Sequence, residues 1–187
     1  MLQKKIIFLM CFILGSYSLQ AEESHPHTHH DQTIHIEKLS PLGNLEVISR
    51  FHNIHMSGQP DIKTLASLKK QNFSTVINIR GPEEMEFDEK SLVEKNGLTY
   101  HIIPLLDKDG EIQDSAVTEI LKKVKSIKDG KILLHCSSSN RVATWLASHF
   151  YRDHKMPLDE VIAYAKQAGM SKKSSEDMLR RYLKTLK

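Results

Sequence analysis

Short apolar runs of strand character alternate with stretches of helical period along most of this 187-residue chain. Residues 45–51 read as a first strand, followed by the turn Ser57-Gly58-Gln59-Pro60. Pro60 and Asp61 then open a helix with Ile62, Leu65 and Leu68 on one face. Residues 73–79 are apolar and β-branched, and they stop at Arg80-Gly81-Pro82. A short helix over 87–95 ends at Asn96-Gly97, and residues 98–106 form the next strand. Val117, Ile120, Leu121, Val124 and Ile127 keep the 3.6-residue period of an amphipathic helix. Asp129-Gly130 turns the chain into residues 131–135, the strand with the most buried character. Helices over 141–151, 158–168 and 175–186 complete the chain, with Trp145 in the core. This order predicts an α/β fold: one central, mostly parallel sheet flanked by helices, with further helices at the C-terminal end.

In such sheets chemistry gathers at the carboxyl ends of the strands. Three of those ends are Arg80-Gly81, Asp107 and Cys136, so the topology brings an arginine, an acid and a cysteine to one edge. The segment His135-Cys136-Ser137-Ser138-Ser139-Asn140-Arg141 follows a strand and opens a helix. There the backbone N–H groups turn inward, and the helix dipole favours an anion, whether a bound oxyanion or a thiolate. Arg141, one turn into the helix, offers a planar fork for two oxygens.

Residues 1–21 have the pattern of a secretory signal peptide: Lys4 and Lys5, an uncharged apolar run over 6–14, and Leu-Gln-Ala before Glu22. Cleavage there would remove Cys11 and leave Cys136 as the single thiol, with no internal disulfide. It also implies an exported protein, periplasmic or secreted. Met10 before Cys11 argues against lipid modification. Residues 22–40 carry five of the eleven histidines and read as a disordered tail. His25, His27, His29 and His30 are candidates for weak divalent-metal binding, although their spacing fixes no geometry. The net charge of +3 from 26 basic and 23 acidic residues, evenly mixed, excludes a nucleic-acid partner. No membrane contact is expected once the leader is removed. The basic residues near the C-terminus read as a solvated helix face. His52 and His55 read as surface or loop contacts, because no third ligand lies nearby in the sequence.

His135-Cys136, a short polar loop and Arg141 together resemble the cysteine-dependent phosphatases of the tyrosine and dual-specificity type. More narrowly, Phe51 with Ser57-Gly58-Gln59-Pro60, Val76-Ile77-Asn78-Ile79-Arg80, Glu84, Tyr100 with Ile103-Pro104, and His135-Cys136 resemble the phosphatase-like domain related to that of β-lactamase hydrolase-like proteins. The resemblance implies a phosphatase-like domain over residues 41–187. It implies Cys136 as nucleophile, forming a phosphocysteine, and Arg141 with the N–H groups of Ser137, Ser138, Ser139 and Asn140 as the phosphate cradle. Asp107 would be the general acid, with Asp109 as its rival. Arg80 would add positive field, His135 would orient the cysteine loop, and no cofactor would be needed. Asp114 reads instead as the acid that starts a helix. The expected substrate is a phosphorylated protein or small molecule.

Three departures qualify the match. The loop has four residues between Cys136 and Arg141, one fewer than is usual in the superfamily, although the narrower relatives share the short form. It has serine where the family has glycine, a cost if any position needs positive φ. Val142 stands where a hydroxyl residue is usual. A four-residue spacing also resembles rhodanese loops, which carry sulfur on cysteine. A sulfurtransferase or persulfide carrier is therefore the alternative, and a non-catalytic anion- or metal-binding module is a further one.

Overall fold

A computed structural model of the chain describes residues 34–186. Six strands, β1 (Glu37–Lys38), β2 (Ile48–Phe51), β3 (Ile54–Ser57), β4 (Phe73–Asn78), β5 (Thr99–Ile102) and β6 (Lys131–His135), form one sheet in the order β1-β2-β3-β6-β4-β5. Strands β3, β6, β4 and β5 are parallel, and β1 and β2 are joined antiparallel at one edge. The helices are α1 (Ile62–Ser67), α2 (Glu89–Lys95), α3 (Asp114–Ser126), α4 (Asn140–His154), α5 (Leu158–Gln167) and α6 (Lys173–Lys184). The α/β architecture with a mostly parallel sheet and C-terminal helices is the one the sequence predicts.

The two-residue period of a strand decides what each face meets. Ile132, Leu134, Ile77 and Ile79 join the larger core, with Val117, Ile120, Trp145, Leu146 and Phe150 from α3 and α4. Leu133 and Val76 point the other way, into a smaller core with Leu65, Leu68, Val93 and Leu98 around α1 and α2. Asn78 and His135 follow Val76 and Leu133 by two residues, and they are register partners on adjacent strands. The alternation therefore turns a pair of polar side chains toward α2. Helix starts follow local chemistry. Asp61 accepts the N–H of Thr64 at 2.7 Å, and Asp88 accepts that of Ser91 at 3.0 Å.

Several expectations are corrected. Residues 34–40 belong to the folded unit rather than to a tail: Ile36 is buried, and Glu37–Lys38 pair with Arg50 and Ser49. The first strand is a hairpin, β2 and β3, turned at His52 with φ +53°. His55 is not a surface contact. It lies buried on β3, packed edge-on against Phe73. Ile62 is 54% exposed, because α1 is a six-residue helix that directs only Thr64 and Leu65 inward. Residues 1–21 and His25, His27, His29 and His30 lie outside the described residues. Among those described, no helix is long and apolar enough to cross a membrane, and no cluster of three metal-ligating side chains occurs.

Candidate active site

Strand β6 delivers His135 to the carboxyl edge of the sheet, and the chain then bends through Cys136–Ser139 into α4. The Ser57-Gly58-Gln59 turn braces this bend. Ser57 O accepts the Cys136 N–H at 3.3 Å, and Ser137 O accepts the Gln59 N–H at 3.3 Å. A Cβ on Gly58 would lie 3.0 Å from Ser137 O, so a side chain there would press the two loops apart by a few tenths of an ångström. Cys136 is a free thiol and is buried. Ser137 and Ser138 are exposed at the surface of the loop. Ser139 adopts φ +64°, ψ −20°, the left-handed conformation that glycine takes most easily. Its hydroxyl donates to Val47 O at 3.4 Å. Among the described residues, no acceptor meets the N–H groups of Ser137, Ser138, Asn140 or Arg141. These donors lie at the positive end of a 15-residue helix.

Arg141 folds back over the loop, donating from Nη2 to Ser137 Oγ at 3.1 Å. Its Nη1 and Nη2 also meet Glu84 Oε1 and Oε2, each at 2.5 Å. Glu84 ends a short 3-10 turn and accepts the Gly81 N–H at 2.9 Å. The Arg141 hydrogen bonds hold the Glu84 carboxyl at a pKa of about 2, against burial and with help from Gly81 and Arg80. Glu84 in turn raises the pKa of Arg141, and Cys136 adds to that effect.

The remaining sequence candidates divide. Arg80 is buried, 7% exposed, and donates to Gln59 Oε1 and to Glu84 O. Its Nε has no hydrogen-bond partner and sits 3.6 Å from Glu84 Oε2. Arg80 therefore braces the Glu84 turn and faces the same carboxylate as Arg141. The Asn140 side chain is buried and turned inward. Its Oδ1 accepts the N–H groups of Ser171 and Lys172 at 2.9 Å each, and its Nδ2 donates to Ser138 O at 3.0 Å. Only its backbone belongs to the cradle. Asp107 is exposed in the loop after β5, where its Oδ1 accepts from Asp109 N at 2.9 Å and Glu111 N at 3.0 Å. The hydrogen bonds of Asp107 stay within its own loop, and Asp109 pairs with Lys108 at 3.2 Å. Asp114 starts α3 and is held by Tyr182 and Arg152.

One participant is not legible in the sequence. Glu89, on α2, has no solvent-exposed side-chain surface and receives Gln59 Nε2 at 2.7 Å, Asn78 Nδ2 at 2.7 Å and Tyr100 OH at 3.0 Å. His135 Nε2 approaches it at 3.2 Å, a charge contact without hydrogen-bond alignment. The available signal was Asn78, a polar residue inside an otherwise apolar strand.

No protein-family model matches the chain. It is similar to the Beta-lactamase hydrolase-like protein of Xylella fastidiosa, 23% identical over 130 residues that cover 67% of this chain. The chain spans 30% of the length of that relative. Its fold is similar to that of P. aeruginosa TpbA, with a TM-score of 0.63 and 15% identity, covering 83% of this chain and 92% of the other. It is similar also to Tk-PTP, with a TM-score of 0.55 and 18% identity over 71% and 91% of the two chains. For PTPMT1 the TM-score is 0.53 and the identity 19%, again over 71% and 91%. The chain thus has the fold of these phosphatases.

Proposed function

We propose that this chain is an exported cysteine-dependent phosphatase that hydrolyses phosphate monoesters. The observation that carries the reading is the cysteine loop: a buried thiol where it begins, N–H groups without acceptors at the helix N-terminus that follows, and Arg141 folded back over Ser137. TpbA has been captured with pTyr and PTPMT1 with PI(5)P, both phosphate monoesters, which supports that substrate class for a chain of the same fold. Export rests on the pattern of residues 1–21.

In this reading the Cys136 thiolate attacks phosphorus, a P–S bond forms and the ester P–O bond breaks. Asp107 gives its proton to the leaving oxygen. Water then attacks the phosphocysteine, Asp107 takes a proton from it, the P–S bond breaks and inorganic phosphate leaves. Arg141 and the loop N–H groups hold the equatorial oxygens throughout, where charge builds up. Asp107 sits in an exposed loop and must swing toward the substrate to do this.

The test is an assay of the reduced full chain on an aryl phosphate and, in parallel, on sulfur transfer from thiosulfate to cyanide, with Cys136→Ser as control. Phosphate release that Cys136→Ser abolishes is the expected result. Sulfur transfer without phosphate release would overturn the reading in favour of a rhodanese-like carrier. Neither activity would leave an anion-binding module.

A further inference from the structure

A carboxylate without access to solvent lies behind the cysteine loop, and its contacts lead to both residues of the proposed chemistry. One branch runs from Glu89 to His135 Nε2 at 3.2 Å, and His135 Nδ1 lies 3.4 Å from Cys136 O. The other runs from Glu89 to Gln59 Nε2 at 2.7 Å, from Gln59 Oε1 to Arg80, and from Arg80 to the backbone oxygen of Glu84. Glu84 grips Arg141. We propose that Glu89 is the positioning residue of this site: through His135 it sets the loop and the charge beside Cys136, and through Gln59 and Arg80 it sets the clamp on Arg141.

Burying a carboxylate carries a desolvation cost, and an apolar side chain of the same size would fill the space without it. What an apolar residue cannot supply is a charge beside His135 and an acceptor for three hydrogen bonds. Burial pushes the Glu89 carboxyl toward its neutral form, but His135, Gln59 and Tyr100 outweigh it, so the group stays ionised. The charged or titratable groups that His135 meets are Glu89 from α2, which also accepts from Tyr100 of β5, and Cys136, the next residue of the chain. Of these, Glu89 is the acid that meets the imidazole, 3.2 Å from Nε2. His135 adjoins Cys136 in the chain, and Glu89 lies beyond the imidazole. Removing the carboxylate therefore frees the imidazole whose Nδ1 lies 3.4 Å from Cys136 O, while Glu84 still holds Arg141.

The proposal rests on the phosphatase reading for only one of its readouts. The first readout is the ultraviolet absorbance of the Cys136 thiolate against pH, in the full chain with Cys11→Ser and with Cys136→Ser as blank. Glu89→Gln should raise the ionisation midpoint by about one pH unit, a tenfold loss of thiolate below it. The acid limb of kcat/KM for an aryl phosphate should move by the same amount. Glu89→Asp, which keeps the charge, should restore most of the midpoint even where its melting temperature is lower. A folded Glu89→Gln chain with an unmoved midpoint would overturn the proposal. Should Glu89→Gln not fold, His135→Gln must show the same rise, and an unmoved midpoint there overturns it equally. A parent chain that releases no phosphate would sink the phosphatase reading and leave the thiolate titration to decide this one.

Discussion

Both carboxylate oxygens of Glu84 meet the two terminal nitrogens of Arg141 at 2.5 Å, while Nη2 of the same guanidinium also reaches Ser137. One edge of the fork is gripped by the protein, and the other faces the cysteine loop. A planar cation held this way is aimed before any oxyanion arrives.

That pair gives a pH signature. The Glu84 carboxyl is depressed to about 2, so its contribution is complete above the ordinary carboxylate range and is lost as pH falls toward 2. The side chain is 32% exposed, which reduces the contribution to about 1 kcal/mol through solvent screening. The melting temperature of the parent chain should fall more steeply between pH 4.5 and 2 than that of Glu84→Gln. Parallel acid-melting curves would refute the pairing. At neutral pH, Glu84→Gln should also raise KM for an aryl phosphate, because Arg141 loses its aim.

A general acid matters most when the leaving group is poor. Asp107→Asn should lower kcat on an alkyl phosphate by about 10²–10⁴-fold and on a nitrophenyl phosphate far less. Equal losses on both substrates would remove Asp107 from proton transfer. Asp109→Asn, measured alongside, separates the two neighbours.

Ser139 holds φ +64°. Ser139→Gly should relieve that strain and stabilise the chain by roughly 0.5–1 kcal/mol, seen as a higher urea midpoint at unchanged slope. A lower midpoint would mean that the hydrogen bond to Val47 O outweighs the backbone term.

Asn140→Ala removes the acceptor of two N–H groups at 2.9 Å. The expected loss is about 2 kcal/mol of stability, with faster amide exchange at Ser171 and Lys172. Unaltered exchange at those two amides would contradict the clamp.

Much of this was readable in advance, and for identifiable reasons. Strands β4 and β6 are buried on both faces, so their apolar runs are nearly continuous. Helix α3 keeps its period across Val117, Ile120 and Val124. The strain at Ser139 follows from serine filling a loop that lacks glycine. The edge hairpin escaped because Arg50, His52, Asn53 and His55 break the alternation, and because β1 has only two residues. Asn140 is polar and lies in the right loop, yet its side chain turns inward to fasten the segment before α6, a contact across about 30 residues that no local pattern encodes. The role of Glu89 depends on sheet register: only when Asn78 and His135 lie side by side does α2 have two polar partners beneath it.

The strand that carries the cysteine enters a slot between two strands made long before it. Ile54 and Phe73 open the sheet on either side, and Ile132 and Lys131 close it. As the chain emerges from its N-terminus, β3 and β4 stand apart without their common neighbour, and no helix dipole yet points at the thiol. Closing the slot completes the sheet, seats the loop on the Ser57-Gly58 turn and brings Arg141 to Glu84. A nascent chain therefore carries Cys136 without its loop around it, and the site is assembled only when the strand before it enters the sheet.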